Sequence, residues 1–212
     1  YSTLANGAMS GNGATEITGS IAKSLFTGTN DVIAVELHQV NATSTDLFFD
    51  MELTGISTPL PSNDVVYIAF GTNSGSAPAW KYKGGGTNLD ATAWKTFGYT
   101  ETNWQTGNSA LGYGTTNPPR NTDIPENTTA GGGGISNARY PTMYFRKKVN
   151  IVDPSAFDGF KISTLFDDGI VIWVNGVEAF RNNIGANPAY ATLANSAITG
   201  NGSVQYDVVV PN

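Results

Sequence analysis

The stretch VIAVELHQVNATSTDLFFDMEL, residues 32–53, sets the expectation for the fold. In its first half the apolar Ile33, Val35 and Leu37 alternate with residues that include the charged Glu36. Successive side chains of a β-strand point to opposite faces, so apolar residues at every second position are typical of a half-buried strand. The first half therefore predicts a strand with one face in the core and one in solvent.

The second half of the stretch repeats this alternation, with Phe49 and Met51 on one face and Asp50 on the other. Asn175-Gly176 separates two further apolar runs, and both residues tolerate the positive φ angles of a two-residue type I′ hairpin turn. No segment has a convincing helical period. The predicted fold class is therefore all-β, an antiparallel β-sandwich, with further strands at 65–70, 143–151, 159–166, 169–174, 177–180 and 204–210.

The composition argues against several classes of function. A net charge of -6 and a pI near 4.6 argue against nucleic acid as a partner, because its binding needs clustered Lys and Arg. The absence of cysteine excludes disulfides and thiol catalysis. The sequence contains no run of about 18 apolar residues, so it does not predict a membrane span. With only 13% charged residues, the chain is typical of secreted bacterial proteins, so we expect an extracellular or cell-surface location.

The chain contains a repeated segment. It opens with YSTLANGAMSGNGA at residues 1–14, and YATLANSAITGNGS at residues 190–203 is identical at nine of fourteen positions. The two copies stand 189 residues apart. This spacing equals one module plus its linker. Because the chain opens within a motif at Tyr1, we expect it to be an excised or processed piece of a longer protein. One explanation is a window cut from a tandem array, and the alternative is that the frame of the repeat matters for assembly.

The order of motifs after the first repeat resembles a known family. The motifs are WKY (80–82), WKTFGYTETNWQTGNSALGYG (94–114), YFRKKVNI (144–151), FDDGIVIWVNGVEAFRNN (166–183) and YATLA (190–194). This order is similar to that of the galactose-binding-like jelly-roll modules of large secreted bacterial surface proteins. In that family two closing strands follow the YxTLA segment. Their counterparts here, NDVIAVELHQ and DLFFDMELTG, stand at residues 30–39 and 46–55 instead.

The displaced closing strands divide the chain into three parts. Residues 1–55 carry the closing strands of a module, residues 56–64 form a linker, and residues 65–212 form the body of a jelly-roll module. The closing segment could fold onto its own body, as in a circular permutant, or insert into the body of the next subunit. The second contact does not close on itself and would build a filament from copies of the chain. Both arrangements predict that residues 1–55 pack beside residues 143–210.

A body without its closing strands exposes a sheet edge and an apolar groove. We expect the apolar face of the closing strands to fill that groove. A charge placed there would cost several kcal/mol, about the penalty of burying an unpaired polar group. The residues that we assign to assembly on this basis are Ile33, Val35, Leu37, Phe49 and Met51.

Catalytic motifs are lacking. The single histidine, His38, stands on a predicted strand, where it is an ordinary polar surface residue. The sequence contains no nucleophile elbow, zinc-protease motif or phosphate-binding loop. We therefore predict no catalytic residues and no enzymatic activity.

Asp167-Asp168-Gly169 is the strongest candidate for a metal site. Two adjacent carboxylates supply the oxygen ligands that Ca²⁺ prefers, and Asn183 could add a carbonyl oxygen. The motif resembles the Asp-Asp-Gly of protective-antigen-like lectin modules, which implies a calcium-dependent sugar site. The alternative is a tight turn in which an Asp side chain caps the backbone.

Four aromatic residues are candidates for binding surface glycans. Trp94 and Trp104 flank turns rich in Thr and Asn, with Tyr99 and Tyr113 nearby. Exposed aromatic faces can stack on sugars, whereas buried ones belong to the core, and the sequence leaves both alternatives open.

Two functions are consistent with these features. The first is structural: a subunit or repeat of an extracellular bacterial filament or adhesin stalk, assembled head to tail by strand complementation. The second is a carbohydrate-binding module of a secreted multidomain protein, with calcium as its ion. The two are compatible, because an adhesive repeat can also bind sugars.

Overall fold

The computed structural model describes residues 21–57, 64–71, 77–114, 119–125 and 139–198, and the backbone of residues 205–208. In these residues the chain forms β-strands and two short 3-10 turns, Lys23–Leu25 and Pro154–Ala156, without any α-helix. The described residues contain no helix that is long and apolar enough to span a membrane. The strands are β1 (Asp31–His38), β2 (Leu47–Ile56), β3 (Val65–Ile68), β4 (Ala79–Lys83), β5 (Gln105–Asn108), β6 (Leu111–Tyr113), β7 (Thr122–Asp123), β8 (Thr142–Val149), β9 (Gly159–Asp167), β10 (Gly169–Val174), β11 (Val177–Asn182) and β12 (Gln205–Val208).

The strands form two sheets that pack face to face. The first has the order β11-β10-β1-β8-β4-β5 and its pairs are antiparallel. The second has the order β12-β9-β2-β6-β7, and β3 also pairs with β2. The β6–β7 pair is parallel, so this sheet is mixed. The predicted all-β sandwich class is confirmed.

β1 and β2 lie in the interior of their sheets. β1 runs between β8 and β10, where Val35 stands opposite Phe145 on one side and Ile172 on the other. β2 pairs with β9 along one edge and with β6 and β3 along the other. Strands from the first part of the chain therefore pack beside strands of the body within a single chain.

The predicted linker connects two paired strands. β2 and β3 are antiparallel, with Gly55 opposite Val65. The N–H of Ser57 donates to the carboxylate of Asp64 at 3.1 Å, which joins the two ends of this connection. The division into residues 1–55, 56–64 and 65–212 stays a prediction.

The main core lies between the two sheets. The ring of Phe49 lies 4.6 Å from that of Phe145 and 5.0 Å from that of Trp80, measured between ring centres. Full burial of an apolar side chain of this size stabilises a fold by roughly 1.5–3 kcal/mol. All five residues that the sequence assigned to assembly are completely buried in this core: Ile33, Val35, Leu37, Phe49 and Met51.

The outer face of the first sheet is also buried, so the prediction of a half-buried β1 is wrong. Glu36 and His38, expected at the surface, are both buried. Residues 84–104, which connect β4 to β5, cover this face and bring Trp94 and Trp104 into a second apolar cluster. We call residues 84–104 the cover. Alternation within β1 could not reveal it, because the cover comes from a distant part of the chain.

Arg146 on β8 fastens the cover to the sheet. Its buried guanidinium donates from Nε to Glu101 Oε1 at 3.0 Å and from Nη1 to the main-chain oxygens of Trp94 and Thr96. The same group lies 5.3 Å from the centre of the Tyr99 ring. A buried guanidinium needs such partners, since a buried unpaired charge is costly.

Four short strands are absent from the sequence prediction: β4, β5, β6 and β7. Each has five residues or fewer, which is too short for alternation to stand out. β7 lies inside TTNPPRNTDIPENTTAGGGG (115–134), a stretch rich in Pro, Asn and Gly, of which residues 115–118 and 126–134 lie outside the described residues.

Asn175-Gly176 forms the predicted two-residue turn between β10 and β11, with φ angles of 51° and 87°. The Asn175 side chain also binds the start of β1. Its Oδ1 accepts the N–H of Val32 at 2.9 Å, and its Nδ2 donates to Leu25 O and to Asp31 Oδ1. The turn therefore closes one hairpin and aligns the neighbouring strand.

Replacing Asn175 with alanine should lower the free energy of unfolding by about 2–3 kcal/mol, because the buried Val32 and Asp31 each lose a hydrogen-bond partner. Urea denaturation measures this change. Asn187→Ala is the matched control, since Asn187 has a φ of 50° but is exposed. Equal losses in both variants would mean that backbone conformation, and not the contact with β1, accounts for the effect.

Candidate functional site

The turn between β9 and β10 carries two of the predicted metal ligands. β9 ends at Asp167 and β10 begins at Gly169, and the peptide bond between Asp167 and Asp168 is cis. Both carboxylates are buried. Together with the neighbouring Asp46 they form three adjoining acidic side chains, which we call the acidic cluster.

Asp168 and Asn183, the second and third predicted ligands, lie in contact. Asn183 Nδ2 donates to the main-chain oxygen of Asp168 at 2.9 Å and to that of Ser196 at 2.6 Å. The Asp168 carboxylate accepts the N–H of Val40 through Oδ2 and the N–H of Ile198 through Oδ1, both at 2.8 Å. Asp168 thus caps main-chain groups, the alternative role that the sequence left open for this turn.

Asp167 is held in its neutral form. Burial raises the pKa of its carboxyl from the ordinary 3.8 to about 10, with further contributions from the hydrogen bond to Asp168 and from the charges of Asp168 and Asp46. The acidic cluster therefore carries at least one proton at neutral pH. A buried carboxyl group that shares a proton with its neighbours avoids the repulsion of adjacent negative charges.

The oxygen atoms of Asp167, Asp168 and Asn183 provide few free ligands for a calcium ion in this arrangement. Ca²⁺ takes about six to eight oxygen ligands. Both Asp168 oxygens accept main-chain N–H groups, and Asn183 Oδ1 accepts the Ser196 hydroxyl at 2.9 Å. Asp167 Oδ1 is buried without a hydrogen-bond partner, but the described residues contain no group of three acidic, His or Cys side chains arranged for a metal. The cluster fits a shared proton better, and calcium binding stays a prediction.

Residues 190–198, part of the second repeat copy, lie against this turn. Their first residue, Tyr190, donates its N–H to the Asp90 carboxylate at 2.9 Å and accepts the Thr142 hydroxyl at 2.6 Å through its main-chain oxygen. Their last residue, Ile198, is held by Asp168, as described above. Both ends of the segment are therefore fixed through main-chain atoms.

The middle of the segment is held in the same way. Ala194 N–H donates to Gln39 O at 3.0 Å, and Asn195 N–H donates to Asn183 O at 2.9 Å. We call the surface that makes these contacts the segment groove. Its residues are His38, Gln39, Asp90, Thr142, Asp168 and Asn183.

His38 belongs to this groove, a role that the sequence did not indicate. Its Nδ1 lies 2.8 Å from the main-chain oxygen of Thr192, which can only accept, so Nδ1 carries the proton. Its Nε2 lies 3.7 Å from a carboxylate oxygen of Glu36. The sequence of β1 alone could not show that His38 is buried, because the outer face of the strand is covered by distant segments of the chain.

Three of the four predicted sugar-binding aromatics are buried. Trp94 is 1% exposed, Trp104 8% and Tyr113 6%, and Tyr99 is half-buried against Trp104. Trp94, Trp104 and Tyr99 share the second apolar cluster, whereas Tyr113 lies on β6 in the other sheet. The structure thus does not bring the four together, and their role in ligand binding stays a prediction.

A surface cleft of about 350 Å³ lies beside the β4–β5 pair. The residues that line it include Tyr82, Tyr140, Asn103 and Gln105. Lys83 also lines it and donates to the main-chain oxygen of Asn103 at 3.2 Å. Aromatic surface beside neutral polar groups is the chemistry of a site for an uncharged, hydroxyl-rich ligand.

Comparisons with known proteins add no assignment to this geometry. No protein-family model matches the sequence, and searches of curated proteins and of solved structures found no significant match.

The raised pKa of Asp167 predicts a pH-dependent stability. Between about pH 4 and pH 10 the folded chain holds a proton that the unfolded chain releases, so stability falls as the pH rises. Asp167→Asn, which is neutral at every pH, should remove this slope and exceed the wild-type unfolding midpoint at pH 9 but not at pH 4. Thermal unfolding at both pH values, with and without a calcium chelator, measures it. Loss of wild-type stability on chelation would instead indicate a bound cation.

Proposed function

We propose that this chain is a structural module of an extracellular bacterial surface assembly, a filament or adhesin stalk. Copies of the chain, or neighbouring repeats, connect head to tail because residues 21–56 of one complete the sandwich of the next. The resemblance to galactose-binding-like jelly-roll modules, the 189-residue repeat and the low charge support this proposal.

The observation that carries the proposal is the position of β1 and β2. One continuous segment supplies an interior strand to each sheet, and its apolar residues fill the core between them. A body without this segment would expose the edges of β8, β10 and β9 together with an apolar interior. The same segment from another copy could restore every one of these hydrogen bonds, which is how strand addition joins protein chains.

Exchange between copies requires a connection that can change its path. The segment joins the body through residues 57–64, whose ends are held by the Ser57–Asp64 hydrogen bond. Short connections of this kind allow identical elements to swap between subunits at low cost. A swap in which each segment enters the next body, without closing, gives a linear assembly.

A disulfide across this connection tests the proposal. The chain has no cysteine, so Ser57→Cys with Asp64→Cys creates a single bond that keeps β2 beside its own β3. We expect the oxidised variant to stay at the mass of one chain in light scattering. The reduced form of the same variant and the wild type should form larger species that negative-stain microscopy shows as filaments.

Equal mass distributions for the oxidised and reduced forms would contradict exchange through this connection. A wild type that stays at one chain mass at every concentration would contradict self-assembly altogether. The structural role would then be limited to a covalent tandem array, in which residues 21–56 complete the sandwich of their own module.

The cleft beside β4 and β5 favours a second candidate function, carbohydrate binding. Its half-buried Tyr140, beside Asn103 and Gln105, is more accessible to a neutral sugar than the buried Trp94 and Trp104 are. The two functions are compatible, since an adhesive module presents its clefts repeatedly along an assembly. Any calcium requirement would then concern the acidic cluster and not the cleft.

Tyr140→Ala should abolish retention on a glycan array if the cleft binds sugar, because it removes one ring of the site. Tyr99→Ala is the matched control, since Tyr99 is half-buried in the cover and lies outside the cleft. Loss of binding only in Tyr99→Ala would assign the site to the cover instead. Absence of any glycan signal for the wild type would contradict this second function.

A further inference from the structure

The chain has one segment groove but two copies of the segment that fits it. The groove holds residues 190–198 through their main-chain atoms, and residues 1–9 are the counterparts of these nine positions. Main-chain hydrogen bonds do not depend on side chains, so a copy with the same backbone path can make them all. Two apolar contacts restrict which sequences fit, and both side chains are identical in the first copy. The Ser196 hydroxyl, which donates to Asn183 Oδ1, is absent from its counterpart Gly7.

The first of these side chains is Ala194. It packs so closely against Gly169 that a β-carbon added to the glycine would lie 3.0 Å from the Ala194 methyl group. A larger side chain at this position would therefore clash with the start of β10. The second is Tyr190, whose ring joins the apolar cluster beneath the cover. Their counterparts in the first copy are Ala5 and Tyr1.

The pairing of β9 relates the segments that follow the two copies to one strand edge. β12, which follows the second copy, pairs with β9 from Gln205 opposite Leu165 to Val208 opposite Ile162. Continued by two residues, this register would reach Phe160. Phe160 is instead paired with Ile21, which follows the first copy. The β12 register would place residue 210 opposite Phe160, and residue 210 lies 189 positions after Ile21, the same spacing that separates the two copies.

The segments that follow the two copies therefore reach the same edge of β9 in the same register, at Ile21 after the first copy and at β12 after the second. An edge pairs with one strand at each position, and the segment groove holds one copy of the segment. Each chain therefore has one copy of the segment more than its own groove binds.

We propose that the segment groove is a docking site for the Tyr-x-Thr-Leu-Ala-Asn segment, and that residues 1–14 of a second copy of this chain occupy it during assembly. This proposal rests on the proposed structural function, because a closing segment that enters a neighbouring body carries its own residues 1–14 to that body's groove. There they displace residues 190–203 of the receiving chain. The head-to-tail contact then includes the groove as well as β1 and β2.

Disulfide capture between two different chains tests this docking. Ser196 Oγ lies 2.9 Å from Asn183 Oδ1 in the groove, and Gly7 is the counterpart of Ser196 in the first copy. We mix a chain carrying Gly7→Cys with a chain carrying Asn183→Cys and oxidise the mixture. The control mixture replaces the second chain with Val152→Cys, at a side chain that is 73% exposed and outside the groove.

We expect the disulfide-linked heterodimer to form at several times the yield of the control mixture. A yield equal to that of the control overturns the proposal. If assembly proceeds in light scattering but this crosslink stays at the control level, the docking proposal fails while the structural function stands. If no assembly forms and no crosslink appears, both fail.

A peptide experiment decides the matter if Asn183→Cys does not fold. A fluorescent peptide of residues 1–14 is titrated into the complete chain and into its Ala194→Phe variant, whose own copy no longer fits beside Gly169. We expect at least tenfold tighter binding to the variant, because the tethered competitor with its high effective concentration has been removed. The same peptide carrying Ala5→Phe should bind neither chain. Equal binding of both peptides, or none by either, overturns the proposal.

Discussion

The whole sandwich depends on β1, which is paired on both edges and buried on both faces. Its inner residues fill the core between the sheets, and its outer residues lie beneath the cover. The charged Glu36 is buried there because it has partners: Trp173 Nε1 donates to it at 3.1 Å, and Lys95 Nζ lies 3.7 Å away. Lys95 also stands 3.5 Å from the centre of the Trp173 ring. The Glu36 carboxylate therefore holds the Trp173 indole and the Lys95 ammonium group at the outer face of the sheet.

Polar side chains act as ties between distant segments at both ends of the sandwich. Asn175 and Asp31 join a hairpin turn to the start of β1, whereas Asp168 and Asn183 join the β9–β10 turn to residues 190–198. A buried polar group that is fully satisfied costs little and admits few alternative arrangements. This use of Asn and Asp explains how a chain with so few charged residues holds long connections in defined positions.

The sequence predicted the elements that rest on local patterns. The alternation of β1 and β2 and the positive φ angles of Asn175-Gly176 are properties of a few consecutive residues. It did not predict what depends on contacts between distant segments. The cover over the outer face of β1 comes from residues between β4 and β5, and His38 is buried against residues near position 190. The acidic turn was recognised as a candidate site, but its capping contacts with Val40 and Ile198 required the fold.

The interior position of β1 has a consequence for how the chain reaches its fold. Its pairing partners lie between Thr142 and Val174, more than 100 positions further along the chain. Long-range pairing of this kind makes folding slow, and the waiting strand has two unpaired edges and an apolar face. Glu36 in β1 and Asp50 in β2 place a charge on each strand, and charges on apolar strands oppose their association with other unfolded chains. Two carboxylates that are buried in the finished sandwich therefore protect these strands while it is still incomplete.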